Sequence, residues 1–362
     1  MDDLAPNQRQ WGDRVERNNE GVRSIVSRRF AACRRWGYAL AVVPLLFLVA
    51  CAENAPQDFL EPEGPIARQI DNLQKPVFLV AGIVFVLVEG LAVWLVVRYR
   101  HRDDSPEPVQ IHGNTRLEVA WTLIPALILL VIAVPTIRTI FDLGRESKNA
   151  LNVTVIGHQF WWEYRYDDLG VVTANELVIP VDQDVELDLQ SIDVIHSFWV
   201  PKLAGKTDVI PGRENHMRIV AEEPGTYLGQ CVEYCGTSHA NMRLTAVAMS
   251  RNGFNAWVQN ERRLAREPIA GTPAADGKAL FTAKGCSGCH RVEGVSQGQV
   301  GPNLSHFANR STFAGGMFDL NPENLRAWLR DPPKEKPGAK MPALGLSPDD
   351  ITKLIAYLET LE

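Results

Sequence analysis

Long apolar runs occupy roughly the first 140 residues of this 362-residue chain, and alternating or amphipathic sequence occupies the rest. Residues 76–97 are interrupted only by Glu89, and residues 119–137 contain no charge. Each run approaches the about 20 residues that a transmembrane helix needs to cross a bilayer core. The pattern therefore predicts a two-helix transmembrane hairpin over residues 70–142.

An earlier apolar run, residues 36–52, has the layout of an export signal. Arginines precede it, it ends in "LVAC", and it is short for a bilayer core of about 30 Å. A basic lead, a short apolar core and small residues are typical of a signal peptide, and "LVAC" resembles the lipobox of bacterial lipoproteins. We therefore expect residues 1–51 to be a basic lead and lipoprotein-type signal peptide, with Cys51 lipidated and held in membrane lipid. A third membrane helix is the alternative.

The loop between the two predicted hairpin helices is basic, with Arg98, Arg100, Arg102 and Arg116. Short cytoplasmic loops carry an excess of Lys and Arg, so this loop should face the cytoplasm. The prediction is a multi-pass protein of a bacterial cell membrane, with everything after residue 142 on the outer face.

Two globular segments follow the hairpin. Residues 150–260 are rich in β-branched and aromatic residues, and in "DVELDLQ" apolar residues alternate with acids. This predicts the half-buried strands of an antiparallel sandwich or barrel. Residues 261–273 indicate a linker. Residues 274–362 are helical in pattern, with Asn321 and Ser347 each placed as an N-cap before a proline.

Charge and cysteine usage narrow the chemistry. The formal net charge is −6, so nothing in the bulk charge points to nucleic acid as a partner. Of the six cysteines, four fall into two short motifs that also contain histidine. No pair is left over that looks like a structural disulfide.

The segment "CSGCH" carries Cys286, Cys289 and His290 in the C-x-x-C-H spacing of a covalent c-type haem site. Two thioethers can hold the porphyrin edge while the histidine reaches the iron. A redox-active thiol pair and half of a zinc site are the alternatives. Methionine as the second axial ligand raises the potential. Met341 is favoured, because "KMPAL" resembles the ligand loop of small bacterial cytochromes c, and Met317 is the other candidate.

The segment "CVEYCGTSHANM" concentrates soft metal ligands, since Cys231, Cys235, His239 and Met242 lie within it. Thiolates and thioethers select soft metals, and imidazole suits copper. Zinc sites rarely use methionine, so copper is the expected metal and zinc is the alternative.

This copper set lacks a second histidine. His196, in "SIDVIHSFWVP", is the best candidate because it follows a predicted strand and sits beside aromatic residues. His158 and His216 are less well placed.

Over residues 70–362 the chain resembles subunit II of the haem–copper cytochrome c oxidases, in the form with a cytochrome c domain fused at the C-terminus. The resemblance rests on "RLEVAWTLIPALILLVIAVPTI", "DVIHSFWVP", "GKTDVIPGR" and "CVEYCGTSHANM". It implies a membrane-anchored multidomain fold: the transmembrane hairpin, a cupredoxin-like antiparallel β-barrel over residues 150–260, and an all-α cytochrome c domain over residues 274–362.

By the same resemblance the barrel holds CuA, a binuclear copper centre bridged by two cysteine sulfurs, and the C-terminal domain holds one covalent haem c. The implied copper ligands, with Glu233 acting through its main-chain carbonyl, are His196, Cys231, Glu233, Cys235, His239 and Met242. The Glu233 side chain would face a magnesium ion at subunit I, with a solvated acid as the alternative. Asp193 is the candidate that orients His196.

The aromatic stretch "HQFWW" contains Phe160, Trp161 and Trp162, which are candidates for an electron path. The family often reads W-Y-W after the His-Gln pair, and its first tryptophan receives electrons from external cytochrome c. Phe160 stands at that position here, which weakens the case for the usual route. A tethered haem would make that route dispensable, Trp161 is a possible substitute, and core packing is the alternative for all three.

Glu118 stands before "VAWT" at the start of the second predicted membrane helix. In the family a glutamate there lies at the mouth of a proton channel running into subunit I. The alternative is an acid favoured at a helix N-terminus by the helix dipole alone.

The resemblance implies an electron-transfer subunit of a proton-translocating cytochrome c oxidase. Electrons would pass from a donor, a cytochrome or a quinol-oxidising complex, through haem c and CuA to subunit I, where oxygen is reduced to water; subunit III is a further expected partner. The chain lacks the membrane histidines of an oxygen-reducing centre, so no catalytic site is expected in it. The copper ligands argue against a quinol oxidase subunit, the hairpin against nitrous oxide reductase, and the haem motif against a copper chaperone.

Overall fold

The computed structural model describes residues 55–100, 110 and 113–362. The predicted lipidation site Cys51 and the basic lead before it lie outside the described residues. Contact clustering separates Pro56–Glu362 from the residues before it. All the elements below belong to Pro56–Glu362.

Two long helices open the described chain, α1 (Pro65–Arg98) and α2 (Thr115–Leu143). They contain 34 and 29 residues, more than the about 20 needed to cross a bilayer core. In each helix, no residue of the most apolar stretch is buried inside the protein. By length and composition both helices could therefore span a membrane, as the hydrophobic pattern predicted.

Helix α1 begins at Pro65, earlier than the predicted hairpin start at residue 70. Its first two turns pack on the following domain, where Ile66 and Ala67 are buried and the Ala67 amide donates to Leu203 O at 3.2 Å. This part of the helix therefore packs against the following domain and does not belong to the membrane-spanning part. A hydropathy pattern misses it because only one face of these turns is apolar.

A β-sandwich follows the hairpin, built from two five-stranded sheets. The first sheet has the order β3-β2-β1-β5-β8 and the second β4-β10-β9-β6-β7. The strands are β1 (Leu151–His158), β2 (Trp161–Tyr166), β3 (Val171–Ala174), β4 (Glu176–Pro180), β5 (Val185–Ser191), β6 (His196–Trp199), β7 (Thr207–Val209), β8 (Asn215–Ile219), β9 (Gly225–Cys231) and β10 (Arg243–Met249). One hydrophobic core lies between the sheets.

Strand β5 shows why the alternating pattern was informative. Val185, Leu187 and Leu189 are fully buried, while the intervening Glu186 and Asp188 are half-buried. The prediction of a half-buried strand is confirmed here, because successive side chains of a strand point to opposite faces.

The prediction that the strands are antiparallel is correct for most pairs and wrong for two. Strand β1 pairs with β5 in parallel, and β4 pairs with β10 in parallel. Alternation tells which face of a strand is buried, and it carries no information about the direction of the neighbouring strand. Parallel neighbours need long crossover connections, which only the assembled sandwich reveals.

The C-terminal region is mainly helical. Helix α3 (Arg251–Glu261) precedes this region. The helices of the region itself are α4 (Pro273–Ala283), α5 (Pro322–Arg330), α6 (Pro332–Glu335) and α7 (Pro348–Leu358). Asn321 caps α5 by accepting from the Asn324 amide, and Ser347 forms a capping box with Asp350 at α7, so both predicted N-caps are confirmed. The expected all-α fold is interrupted by two short hairpins, pairing residues 291–292 with 296–297 and 312–313 with 318–319.

Candidate metal and haem sites

The predicted copper ligands cluster at one end of the sandwich, in the loop between β9 and β10. Strand β9 ends at Cys231, and β10 begins at Arg243, immediately after Met242. The Cys231 amide donates to Met242 O at 2.9 Å, which closes the loop at its base. Two antiparallel neighbours thus hold both ends of the loop, and its soft side chains converge.

The two thiols lie at the centre of this cluster. Cys231 Sγ and Cys235 Sγ are 3.8 Å apart and both residues are buried. His196 Nδ1 lies 3.9 Å from Cys231 Sγ, and His239 Nδ1 lies 3.6 Å from Cys235 Sγ. Each sulfur therefore has one imidazole nitrogen of its own beside it.

Met242 and the main-chain carbonyl of Glu233 flank the thiols. Met242 Sδ lies 3.8 Å from Cys235 Sγ, and Glu233 O lies 3.3 Å from Cys231 Sγ. Two thiols, two imidazoles and a thioether, with one carbonyl beside them, form a donor set that suits copper.

His196 reaches the loop because of strand pairing. Strand β6 runs antiparallel to β9, with Phe198 opposite Cys231, so His196 stands two residues further along, beside the loop. The other candidates lie elsewhere: His158 stacks on Trp161 at 4.0 Å, and His216 bonds to Asp188 at 2.7 Å.

The two thiols influence one another's protonation. A hydrogen bond from Cys235 and the neighbouring His196 outweigh burial and lower the pKa of the Cys231 thiol to about 4. The Cys231 thiolate, together with burial, raises the pKa of Cys235. One thiolate is therefore ready to bind a metal, and binding must displace the second proton, as is usual when thiols bind metals.

Asp193 orients His196, as the sequence suggested. His196 Nε2 donates to Asp193 Oδ1 at 2.8 Å, which turns Nδ1 towards the sulfurs. Burial opposes ionisation of Asp193, but hydrogen bonds from His196, from the Gln159 and Val194 amides and from Lys340 hold the pKa of its carboxyl well below the usual range. The carboxylate thus stays charged and the imidazole stays fixed.

We expect Asp193→Asn to weaken copper binding by about 10–100-fold, because carboxylates that orient ligating imidazoles typically contribute that much. A copper titration of the full-length chain against a competing chelator would measure it. Asp167→Asn is the control, since Asp167 also accepts a side-chain hydrogen bond, from Thr154, but contacts none of the candidate copper ligands. Equal copper affinities in the two variants would contradict the assignment.

A second site lies in the helical domain, at a cavity of about 460 Å³ lined by Cys289, His290 and Met341. His290 Nδ1 donates to Pro302 O at 2.8 Å, which leaves Nε2 free to bind iron. A Cβ at Gly301 would lie 2.6 Å from His290 Cε1, so the close approach of this loop to the ring requires glycine. Met317 is not among the cavity residues.

Burial lowers the pKa of His290. The imidazole is therefore neutral at ordinary pH, which is the form that binds iron. The donor set beside this cavity fits a covalently attached haem: Cys286 and Cys289 would hold it, and His290 and Met341 would supply ligands to its iron.

The aromatic stretch joins the two sites. Phe160 and Trp161 belong to the β-sandwich domain but line the haem cavity. Trp162 is fully buried and lies edge-on to His196, with ring centroids 5.8 Å apart. The first two aromatic residues therefore face the haem cavity, and Trp162 is a core residue beside a copper-ligand candidate.

The two acids with predicted roles are both solvent-exposed. Glu233 turns its carbonyl towards Cys231 and leaves its side chain at the surface. Glu118 lies in the first turn of α2, behind the N-cap Asn114. These positions are compatible with the predicted magnesium and proton-channel roles and with the simpler alternatives.

The sequence did not predict the contacts that two lysines make near the sites. Lys336 and Lys340 contact the β-sandwich domain from the helical domain. Lys340 precedes Met341 in the quoted "KMPAL", but an isolated lysine carries no signal of its partner, because lysine is usually solvated.

Comparisons with known proteins agree with this arrangement. Family models match for the cytochrome c oxidase subunit II transmembrane domain (residues 52–139), its periplasmic domain (171–249) and cytochrome c (274–362). Cytochrome c oxidase subunit 2 of Alkalihalophilus pseudofirmus is 38% identical, over 90% of this chain and 98% of that protein. The Bacillus subtilis subunit is 34% identical, over 89% and 96%. A crystal structure of the periplasmic domain of subunit II of cytochrome oxidase of Bradyrhizobium japonicum is 30% identical, over 32% of this chain and 96% of that chain, with a TM-score of 0.31.

Proposed function

Because this chain belongs to the cytochrome c oxidase subunit II family and ends in a cytochrome c domain, it is a membrane-anchored component of a terminal oxidase, and we propose that it relays electrons from a haem through a copper pair to the oxygen-reducing subunit. The observation that carries the proposal is the shared cavity. Residues of the β-sandwich domain and of the cytochrome c domain line it together, so the two centres would lie close to each other.

Six residues would hold the copper pair. Cys231 and Cys235 would bridge the metals, His196 and His239 would bind one metal each, and the remaining positions would go to Met242 and Glu233 O. Such a pair would supply a one-electron couple shared by two metals. The protein contributes a loop in which Cys231 and Cys235 are buried and each of the other candidate ligand atoms lies within 4 Å of one of the two sulfurs.

The haem would be attached through Cys286 and Cys289 and ligated by His290 and Met341. Such a haem supplies a one-electron iron couple, whose potential the axial ligands set. The Pro302 carbonyl fixes the orientation of the His290 ring, and apolar side chains of both domains contribute to the cavity lining.

The remaining roles follow from the family and the basic loop. The copper and haem domains would lie on the outer face of a bacterial membrane, with subunits I and III as neighbours and a cytochrome or quinol-oxidising complex as donor. Glu233 would contribute to a magnesium site at subunit I, and Glu118 to the mouth of a proton channel. The exposure of both side chains supports contact with another subunit. Lipidation of Cys51 stays a prediction.

Metal analysis combined with electron paramagnetic resonance of the full-length chain tests the proposal. We expect two coppers and one haem iron per chain and a signal in which one electron is shared by both coppers. A single-copper signal, or zinc in place of copper, would overturn it. Haem attachment is checked separately from the mass of the chain under denaturing conditions.

A further inference from the structure

One short segment of the cytochrome c domain, residues 336–341, makes much of the contact with the copper loop; we refer to it as the docking segment. It follows α6 and ends in the candidate haem ligand Met341. Ser238 Oγ donates to Pro337 O at 2.5 Å, and Lys340 Nζ lies 3.0 Å from Asp193 Oδ2. The docking segment thus contacts the residue that precedes His239 and the residue that orients His196.

Lys336 is the innermost residue of the docking segment. Its ammonium donates to Phe160 O at 2.7 Å, to Asn241 O at 3.0 Å and to Ala314 O at 2.6 Å. Two of these carbonyls belong to the copper domain, and Asn241 directly precedes the copper-ligand candidate Met242. Each of the three donors of the ammonium has one acceptor, which is all that a lysine can use.

A lysine in this position is costly. Lys336 is only 3% exposed, and no carboxylate among the residues that the structure describes pairs with it. Burial lowers the pKa of its amine to about 7. Lysine is almost never buried this deeply unless it is paired, so three carbonyls from three separate chain segments must hold it. All three carbonyls can accept a hydrogen bond from Lys336 in only one relative placement of the two domains, so the lysine favours that placement.

We propose that Lys336 is a positioning residue. It holds the cytochrome c domain against the copper loop at the distance and orientation needed for electron transfer between haem and copper. The inference rests on the proposed function. In the step concerned, the ferrous haem loses one electron and the copper pair gains it; no bond is made or broken and no proton moves. Tunnelling rates fall exponentially with distance, so a small increase in the distance between the two centres slows the step.

A role confined to the fold of the cytochrome c domain would not require this arrangement. Only the Ala314 carbonyl is internal to that domain, whereas Phe160 and Asn241 lie across the interface. The neighbouring hydrogen bond from the Arg243 amide to Gly315 O, at 2.8 Å, also crosses the interface. It offers a local reporter of docking, which is compared between chains of equal copper and haem content.

The test is hydrogen exchange of the full-length chain carrying Lys336→Met, with Lys334→Met as the matched control, since Lys334 is exposed on α6. A hydrogen bond to a charged group is worth a factor of about ten or more in an equilibrium constant. We therefore expect the Arg243 amide to exchange at least about tenfold faster in Lys336→Met, and at the unsubstituted rate in the control. Unchanged exchange at Arg243 in Lys336→Met would overturn the proposal.

The second readout is the rate of electron transfer from haem to copper after rapid photoreduction of the haem. In Lys336→Met the rate should fall, because the cytochrome c domain is no longer held in one placement against the copper loop, while the spectra show that haem and copper are still bound. A rate equal to that of the unsubstituted chain contradicts the inference. Absence of a copper pair from the unsubstituted chain would instead defeat the proposed function, and the exchange result would still stand.

A second variant covers the case in which Lys336→Met fails to fold. At Gly338, where φ is +82°, an added Cβ would lie 3.1 Å from Phe160 Cε2. Gly338→Ala therefore strains the docking segment where it contacts the copper domain, without removing a buried charge, and it should also accelerate exchange at Arg243. Unaltered exchange at Arg243 in Gly338→Ala would count against the docking role.

Discussion

Replacing Cys231 with serine should abolish the shared-electron copper signal and reduce electron transfer out of the haem by more than about 100-fold. Partners that merely orient ligands already contribute about 10–100-fold to metal affinity, and Cys231 would be a ligand to both metals. A serine oxygen is a hard donor that does not hold copper as a thiolate does. The haem should remain attached and spectroscopically normal, because Cys231 lies in the other domain. Resonance and haem absorbance of the full-length chain measure both.

Tyr234→Phe is the control for this substitution. Tyr234 lies between the two cysteines but is 76% exposed, so loss of its hydroxyl should leave the copper signal intact. Cys235→Ser should reproduce the effect of Cys231→Ser, since the two sulfurs are equivalent in a bridge. A two-copper signal that survives in either serine variant would be incompatible with the bridged arrangement.

Replacing Met341 with alanine should lower the midpoint potential of the haem by more than about 100 mV, within the ~0.8 V range over which axial ligands set haem potentials. Thioether ligation favours the reduced iron, and water or an empty position does not. With a lower potential the haem would donate to copper more readily but would accept electrons from its donor less well. Redox titration of the haem absorbance in the full-length chain measures the shift.

Met317→Ala is the matched control, because Met317 lies in the turn of the hairpin over residues 312–319 and does not line the haem cavity. Met341 is partly buried against the core of its domain, so Met341→Leu should be made as well. Leucine keeps the packing volume at small cost but provides no sulfur. The assignment of Met341 fails if Met317→Ala shifts the potential and the Met341 variants do not.

Much of the site could be predicted because its ligands are close in sequence or have distinctive chemistry. Cys231, Cys235, His239 and Met242 fall in one loop, and a short loop between paired strands cannot separate them far. His196 had to come from elsewhere, and it was preferred because it follows a predicted strand and sits beside aromatic residues; the resemblance to the family then implied the same residue. Met341 was preferred to Met317 from its loop motif, and the cavity lining supports that preference.

Other features could not be predicted because they depend on pairs of distant segments. The parallel pairing of β1 with β5 depends on how long connections cross the sandwich. The early start of α1 depends on a surface of the next domain. In each case the local pattern is compatible with several partners, and only packing selects one.

By itself the sequence determined the membrane hairpin, the two ligand motifs and the order of the domains, because hydrophobic periodicity and ligand spacing are local properties of the chain. The tertiary structure alone decided that the haem cavity is completed by Phe160 and Trp161 of the copper domain. It also decided that Lys336 is buried among three carbonyls at the interface. A lysine or an aromatic residue is equally acceptable in sequence on a solvated surface and in an interface. Its role is set by desolvation and by the acceptors around it, and those exist only once distant segments have come together.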